Sequence, residues 1–230
     1  MNQVSPTILR DRQAAAESSG GISSDPIYTA IQRVITDRDL HGKVLDYGAG
    51  VGHLARRLLS LDRFDQIAAA DILPAPEDLA SKVEWIAQDL NEPILNHDNQ
   101  FEVVIAAEII EHLENPRAMV RDLYRILRPG GTAIVTTPNN ESWRSIGALL
   151  VRGHFVAFGD TCYPAHIVAL LRKDIDRIFR EAKFHSPEFR FTDDGGLPGM
   201  PAMTWQAITF GFLRGLRFSD NLLAIATKAR

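Results

Sequence analysis

Lys43-Val44-Leu45-Asp46-Tyr47-Gly48-Ala49-Gly50-Val51-Gly52-His53-Leu54 is the stretch on which the fold turns. Residues 43–47 read as a short buried strand, and Gly48, Gly50 and Gly52 follow without a gap. Leu54-Ala55-Arg56-Arg57-Leu58-Leu59 then returns to helical spacing. The segment is therefore strand, glycine turn, helix. Glycines let the backbone turn sharply and approach a ligand without a Cβ in the way. The free N–H groups at the start of the helix add a field that favours an electron-rich group.

On either side of this unit the chain alternates in the same way. Asp25-Pro26 opens a helix in which Ile27, Ala30, Ile31, Val34 and Ile35 share one face, ending near residues 40–42. Residues 66–71 read as a second strand, 83–90 as a third, 101–107 as a fourth and 133–139 as a fifth. Asn115-Pro116 starts a helix with Met119, Val120, Leu123, Ile126 and Leu127 inward. Residues 170–182 form another amphipathic helix, 185–191 a sixth strand and 221–227 the last. Strands alternating with helices in this order predict an α/β, doubly wound, mostly parallel sheet. Residues 26–230 then form one domain, with insertions near 140–165 and 192–220.

Two kinds of ligand fit a turn of this type. A dinucleotide site calls for G-x-G-x-x-G, with the pyrophosphate over the helix start. Here the spacing is G-x-G-x-G, with Asp46 immediately ahead of it. A carboxylate there would repel a pyrophosphate but can orient a ligand bearing an ammonium group. The stretch resembles the first motif of the class I SAM-dependent methyltransferases. Residues 101–138 resemble the matching part of the ubiquinone O-methyltransferases, and the resemblance covers about residues 40–140. It implies a Rossmann-like, seven-stranded sheet whose last strand lies antiparallel between the fifth and sixth. It also implies S-adenosylmethionine as cofactor, held by Asp46, Gly48, Ala49, Gly50 and Gly52, with Ala107 at the end of the fourth strand. Asp71, about 20 residues after the glycines and followed by Ile72, is placed to accept both ribose hydroxyls. Asp89 is expected to accept from the adenine amino group, with Leu90 against the ring.

Glu108-Ile109-Ile110-Glu111-His112 follows the fourth strand. If it is helical, Glu108, Glu111 and His112 share one face and can bind a divalent cation. The pattern E-x-x-E-H resembles that of the small-RNA 2′-O-methyltransferases and the quinone O-methyltransferases, which implies a second histidine from a later segment. His166 matches best, and His154 is its rival. Mg²⁺, Mn²⁺ and Zn²⁺ all suit mixed O/N ligation. Such an ion would lower the pKa of an acceptor hydroxyl. Two alternatives stand beside this: His112 as a general base without metal, and a structural role for the run.

Composition narrows the class. Apolar residues at 45% and charged residues at 23% are ordinary for a soluble globular protein. A net charge of −4 argues against a broad nucleic-acid surface. The single cysteine, Cys162, precludes an internal disulfide framework. No apolar run suits a signal peptide or a bilayer span, so a cytoplasmic protein is expected. Residues 1–25 are expected to be a flexible lead or a lid over the cofactor. Residues 140–164 are the expected substrate wall, with ordinary packing on the sheet edge as the alternative. Residues 205–218 read as an apolar helix that roofs the pocket, joins two subunits in a homodimer, or lies on a membrane surface. The expected reaction is O-methylation of a small molecule: a phenol or quinone precursor, a sugar hydroxyl, or a lipid-linked glycan. RNA 2′-O-methylation, SAM binding without turnover, and a nicotinamide dehydrogenase are the rivals.

Overall fold

The computed structural model describes residues 5–19 and 21–230. Nine strands are assigned among these residues: β1 (Gly42–Tyr47), β2 (Phe64–Asp71), β3 (Glu84–Ala87), β4 (Phe101–Ala107), β5 (Leu127–Pro138), β6 (Glu188–Phe191), β7 (Gly196–Leu197), β8 (Met200–Thr204) and β9 (Asn221–Thr227). The helices are α1 (Pro6–Ser19), α2 (Asp25–Asp37), α3 (His53–Leu61), α4 (Pro116–Ile126), α5 (Trp143–Arg152), α6 (Arg172–Glu181) and α7 (Trp205–Ile208).

The main sheet has seven strands in the order β3-β2-β1-β4-β5-β9-β6. Pairs from β3 across to β5 are parallel, whereas β9 runs antiparallel to both β5 and β6. This is the expected Rossmann-like architecture. Strands buried on both faces explain the near-continuous apolar runs of β1, β2 and β4. Their successive side chains enter two separate cores: Val104 and Ala106 pack with Met119, Val120 and Leu123 of α4, and Val103 and Ile105 with Ile31 and Val34 of α2. Asp46 shares the parity of Val44, so β1 drives its carboxylate toward the α2 and α3 side. The order reverses between β1 and β4, and ligands in such sheets bind at that switch point, beyond the strands' carboxyl ends.

Residues 6–19, expected as a flexible lead or a lid over the cofactor, form α1, a helix that walls the central cavity; residues 1–4 and 20 lie outside the described residues. Two elements differ from expectation. Residues 205–218 do not make one helix. α7 stops at Ile208, and Phe210 and Gly211 take positive φ values of 51° and 79°, which end it. The second difference is at residues 108–112, which form a turn and not a helix. Glu108 has φ 53°, outside the right-handed region, and this breaks the backbone as it leaves β4.

Candidate active site

A cavity of about 1090 Å³ opens at the carboxyl ends of β1 and β4. Pockets for one drug-sized ligand run to roughly 300–1,000 Å³, so two small molecules can be held side by side. Asp46 faces it from the end of β1, only 1% exposed, and neither carboxylate oxygen has a hydrogen-bond partner among the described residues. Burial, and then the charge of Asp71, push it up to about 8. A buried carboxylate with no partner is a costly arrangement, and one a cationic ligand would relieve.

Asp71 ends β2, and burial raises its pKa as well. Its Oδ2 accepts from the Gly50 N–H at 2.7 Å and its Oδ1 from the Leu73 N–H at 2.9 Å. Each oxygen keeps a further lone pair for a ribose hydroxyl. Gly48, Ala49, Gly50, Ile72, Leu90 and Ala107 reach the same cavity. Gly52 instead caps α3 in the left-handed conformation. Asp89 lies in the cavity wall but is already engaged: its Oδ1 accepts from Asn91, and its Oδ2 pairs with Arg12 of α1. An unpartnered acid, a glycine backbone and a hydroxyl-accepting acid together fit a cofactor with ammonium and ribose groups.

The glycine turn is also shaped by protein packing. A Cβ on Gly50 would stand 2.5 Å from the Gly21 carbonyl oxygen and 2.6 Å from its Cα, with φ at 53°. Gly50→Ala should therefore push the 21–24 segment off the turn and destabilise the fold by about 1–3 kcal/mol in chemical denaturation. An unchanged midpoint would mean that segment moves freely.

The candidate reaction end is built by β4, β5, β9 and the segment after α5. Glu108 is not drawn to Glu111 and His112. Thr136 Oγ1 donates to its Oε1 and Asn221 Nδ2 to its Oε2, both at 2.8 Å, and burial brings it to about 7. Glu111 is fully buried; Thr137 Oγ1 donates to its Oε2 at 3.1 Å, and its Oε1 has no partner among the described residues. Burial, and then Glu108, raise the Glu111 carboxyl well above the usual range.

His166 is carried to this point because the Ile167 and Val168 N–H groups donate to the Glu111 carbonyl oxygen. The His112 and His166 rings meet edge to face, 4.7 Å between centroids. Ligand atoms of Glu111, His112 and His166 all lie within 4.8 Å of one another, so three of the four expected metal ligands converge and Glu108 does not join them. His166 Nδ1–H donates to the Ala157 carbonyl at 2.7 Å, which leaves its Nε2 as the lone-pair nitrogen of the neutral ring. Burial, and then His166, lower His112 to about 4. The rival His154 turns its Nδ1 to the Phe155 carbonyl and is not in the cluster.

These shifts set a pH dependence for the ligand-free protein. Asp46, raised from 3.8 to about 8, and Glu108, raised from 4.5 to about 7, bind more protons folded than unfolded. Stability then falls as pH rises through that interval. His112, lowered from 6.5 to about 4, acts in the opposite sense only below its ordinary value. The thermal midpoint should therefore be higher at about pH 6.5 than at about pH 8.5, read by calorimetry. A midpoint that rises with pH would contradict the burial of these acids.

Several cavity residues had no signal in the sequence. Arg12 and Asp11 come from the segment expected as a lead or lid, where no single residue stood out, and Asn221 from the first position of the last strand. Arg144, on α5, pairs with Asp220 at the same end. The residues expected as a substrate wall do line it in part, through Ser142, Arg144, Ser145, Val156 and Ala157.

A model of the methyltransferase-domain family matches residues 23–185, more than half of the chain, and the chain belongs to that family. Its fold is that of the class I SAM-dependent methyltransferases. Among curated relatives it is 27% identical over 148 residues to the mitochondrial ubiquinone biosynthesis O-methyltransferase of Dictyostelium discoideum, covering 56% of this chain and 43% of that one. It is 33% identical over 105 residues to the ubiquinone biosynthesis O-methyltransferase of Rickettsia bellii, covering 42% of each. These matches span less than half the length of either relative. Among solved structures, a SAM-dependent methyltransferase from Archaeoglobus fulgidus superposes with TM-score 0.62 at 17% identity, covering 92% of this chain and 97% of that one. The 1,6-didemethyltoxoflavin-N1-methyltransferase of Burkholderia thailandensis, with S-adenosylhomocysteine bound, superposes with TM-score 0.65 at 14% identity, covering 100% and 93%.

Proposed function

We propose that this chain is a SAM-dependent O-methyltransferase acting on a small-molecule hydroxyl, a phenol or quinone precursor before a sugar or lipid-linked glycan, assisted by a divalent cation. The observation that carries the metal assignment is the cluster of Glu111, His112 and His166, with its unpartnered carboxylate oxygen and two stacked-edge imidazoles. S-adenosylmethionine supplies, when bound, a methyl group on a sulfonium and so needs only a nucleophile in line with it. Asp46 would hold the amino group of the cofactor, the Gly48–Gly50 backbone its approach, and Asp71 its ribose. The chain's own work at the other end is to orient the acceptor oxygen and remove its proton.

His112, lowered to about 4, is a weak base at neutral pH. As a neutral imidazole it is a good ligand. That contrast favours metal binding over unaided base catalysis. Two nitrogens and one carboxylate suit Zn²⁺ or Mn²⁺ better than Mg²⁺, which prefers an all-oxygen shell. Glu108, hydrogen-bonded by Thr136 and Asn221, stands free of the cluster and lines the cavity, where it can accept the acceptor's proton.

The deciding experiment is isothermal titration of metal-stripped protein, first with S-adenosylhomocysteine and then with Zn²⁺, Mn²⁺ and Mg²⁺. Binding of both, followed by metal-dependent methylation of a catechol panel, is expected. Failure to bind S-adenosylhomocysteine would remove the methyltransferase reading, and cofactor binding without metal binding would remove only the metal.

A further inference from the structure

We propose that the methyl acceptor carries a protonated amine, held by Asp194 and Asp220 on the cavity wall beside Glu108. This rests on the small-molecule O-methylation proposed above and names the class of its acceptor. Acidic charge is concentrated in the cavity. Eight acidic residues and two arginines line it. The whole chain holds 29 acidic and 25 basic residues, so its acidic excess lies in the cavity. Asp46, 1% exposed and without a partner among the described residues, is the most deeply buried of these acids. A cleft lined by one sign of charge focuses its field and draws ligands of the other sign. The ammonium and ribose of the cofactor suit Asp46 and Asp71. The acids at the acceptor end answer to no part of the cofactor.

The turn that carries Asp194 is fixed. Asp193 Oδ1 accepts from the Gly215 N–H at 2.7 Å, and the Asp193 N–H donates to Ser219 Oγ at 3.0 Å. The Asp220 N–H donates to the Asp194 carbonyl at 2.8 Å. The backbone of Asp194 thus holds the turn, while its carboxylate has no hydrogen-bond or ion-pair partner among the described residues. Burial, and then the charge of Asp220, raise the Asp194 pKa above its ordinary value. Asp220 accepts through Oδ2 from Arg144 and from the Gly196 N–H. Arg144 therefore offsets Asp220 and leaves Asp194 uncompensated. Asn221 Nδ2, donating to Glu108 at 2.8 Å, links this wall to the acid placed to take the acceptor's proton. Unfilled carboxylate oxygens call for a ligand rich in donors and positive charge, and an ammonium brings three N–H groups. An anionic acceptor would meet like charge there.

The test is isothermal titration of the whole chain, with and without S-adenosylhomocysteine, against two matched series. Dopamine, methylcatechol and protocatechuate share one catechol and carry a positive, a neutral and a negative group. Glucosamine, glucose and glucuronate do the same on a sugar, so the series that binds separates an aromatic from a sugar acceptor. In at least one series the amine should bind about tenfold or more tighter than the neutral compound, with the anion weakest. Salt at about 0.5 M should shrink that preference. Asp194→Asn should bring the amine to within about threefold of the neutral compound while leaving S-adenosylhomocysteine affinity unchanged, and Asp194→Glu should keep the preference. If neither amine exceeds its neutral counterpart, or if the preference survives Asp194→Asn, the proposal is overturned. Should that variant lose its fold by circular dichroism, the wild type decides: a preference indifferent to salt would refute charge selection, and one that salt erases would support it. A wild type that binds an amine but not S-adenosylhomocysteine would leave the charge selection standing and remove the methyltransferase reading alone.

Discussion

Asp46→Asn is expected to raise the stability of the ligand-free protein while weakening its affinity for S-adenosylhomocysteine. The two effects share one cause. In the free protein the Asp46 carboxylate is buried, carries no hydrogen-bond partner among the described residues, and is pushed up to about 8. An unsatisfied buried group costs on the order of 1–3 kcal/mol, more when charged. Removing the charge should raise the thermal midpoint at about pH 8.5 by roughly 2–4 °C. Truncating one partner of a buried charged pair costs about 2–5 kcal/mol, so the dissociation constant should rise by roughly thirtyfold to several thousandfold. Calorimetry and titration on the same sample read both. Damage to the fold would lower both quantities, so opposite signs isolate a binding role. An unaltered affinity would place the cofactor's amino group elsewhere.

His112→Ala should lower turnover by about 10²–10⁴-fold and abolish metal binding, with S-adenosylhomocysteine affinity changed by less than about threefold. Its ring centroid lies 4.7 Å from that of His166, and ligand atoms of both lie within 4.8 Å of a Glu111 carboxylate oxygen. Losing any one ligand leaves two, too few to hold an ion firmly. Glu111→Gln should therefore give the same loss of metal. The stability of that variant should be preserved or improved, because Glu111 is fully buried with one oxygen unpartnered. Measurement of kcat and KM for the wild type with and without chelator completes the comparison. Metal affinity that survives in both variants would mean the ion, if bound, sits elsewhere.

The α/β sheet was legible in the sequence because its strands and helices depend on local patterns, and the antiparallel last strand came from the family resemblance. Apolar runs mark strands buried on both faces, helices repeat at their own period, and the glycine spacing with Asp46 is contiguous. The boundaries moved by a few residues. The third strand shortened to Glu84–Ala87, the sixth to Glu188–Phe191 and the helix before it to Arg172–Glu181. Such ends depend on capping and on neighbours more than on pattern.

What tertiary structure alone decided lies where distant segments meet. E-x-x-E-H suggested a helical face, but the positive φ of Glu108 turns the chain, and Thr136 of β5 with Asn221 of β9 takes its carboxylate. His166 joins Glu111 and His112 because the 167–168 backbone hydrogen-bonds to the Glu111 carbonyl, a contact across more than fifty residues that no local spacing encodes. Arg12 reaches Asp89 across 77 positions and makes a wall of a segment whose composition is that of a solvated lead. The sequence by itself determined the class of fold and singled out Asp46 and Asp71 as candidates for the cofactor end, since each rests on a local strand-end pattern. The candidate reaction centre and its wall were decided by packing, because their side chains come from separate strands and loops that only the closed sheet edge brings together.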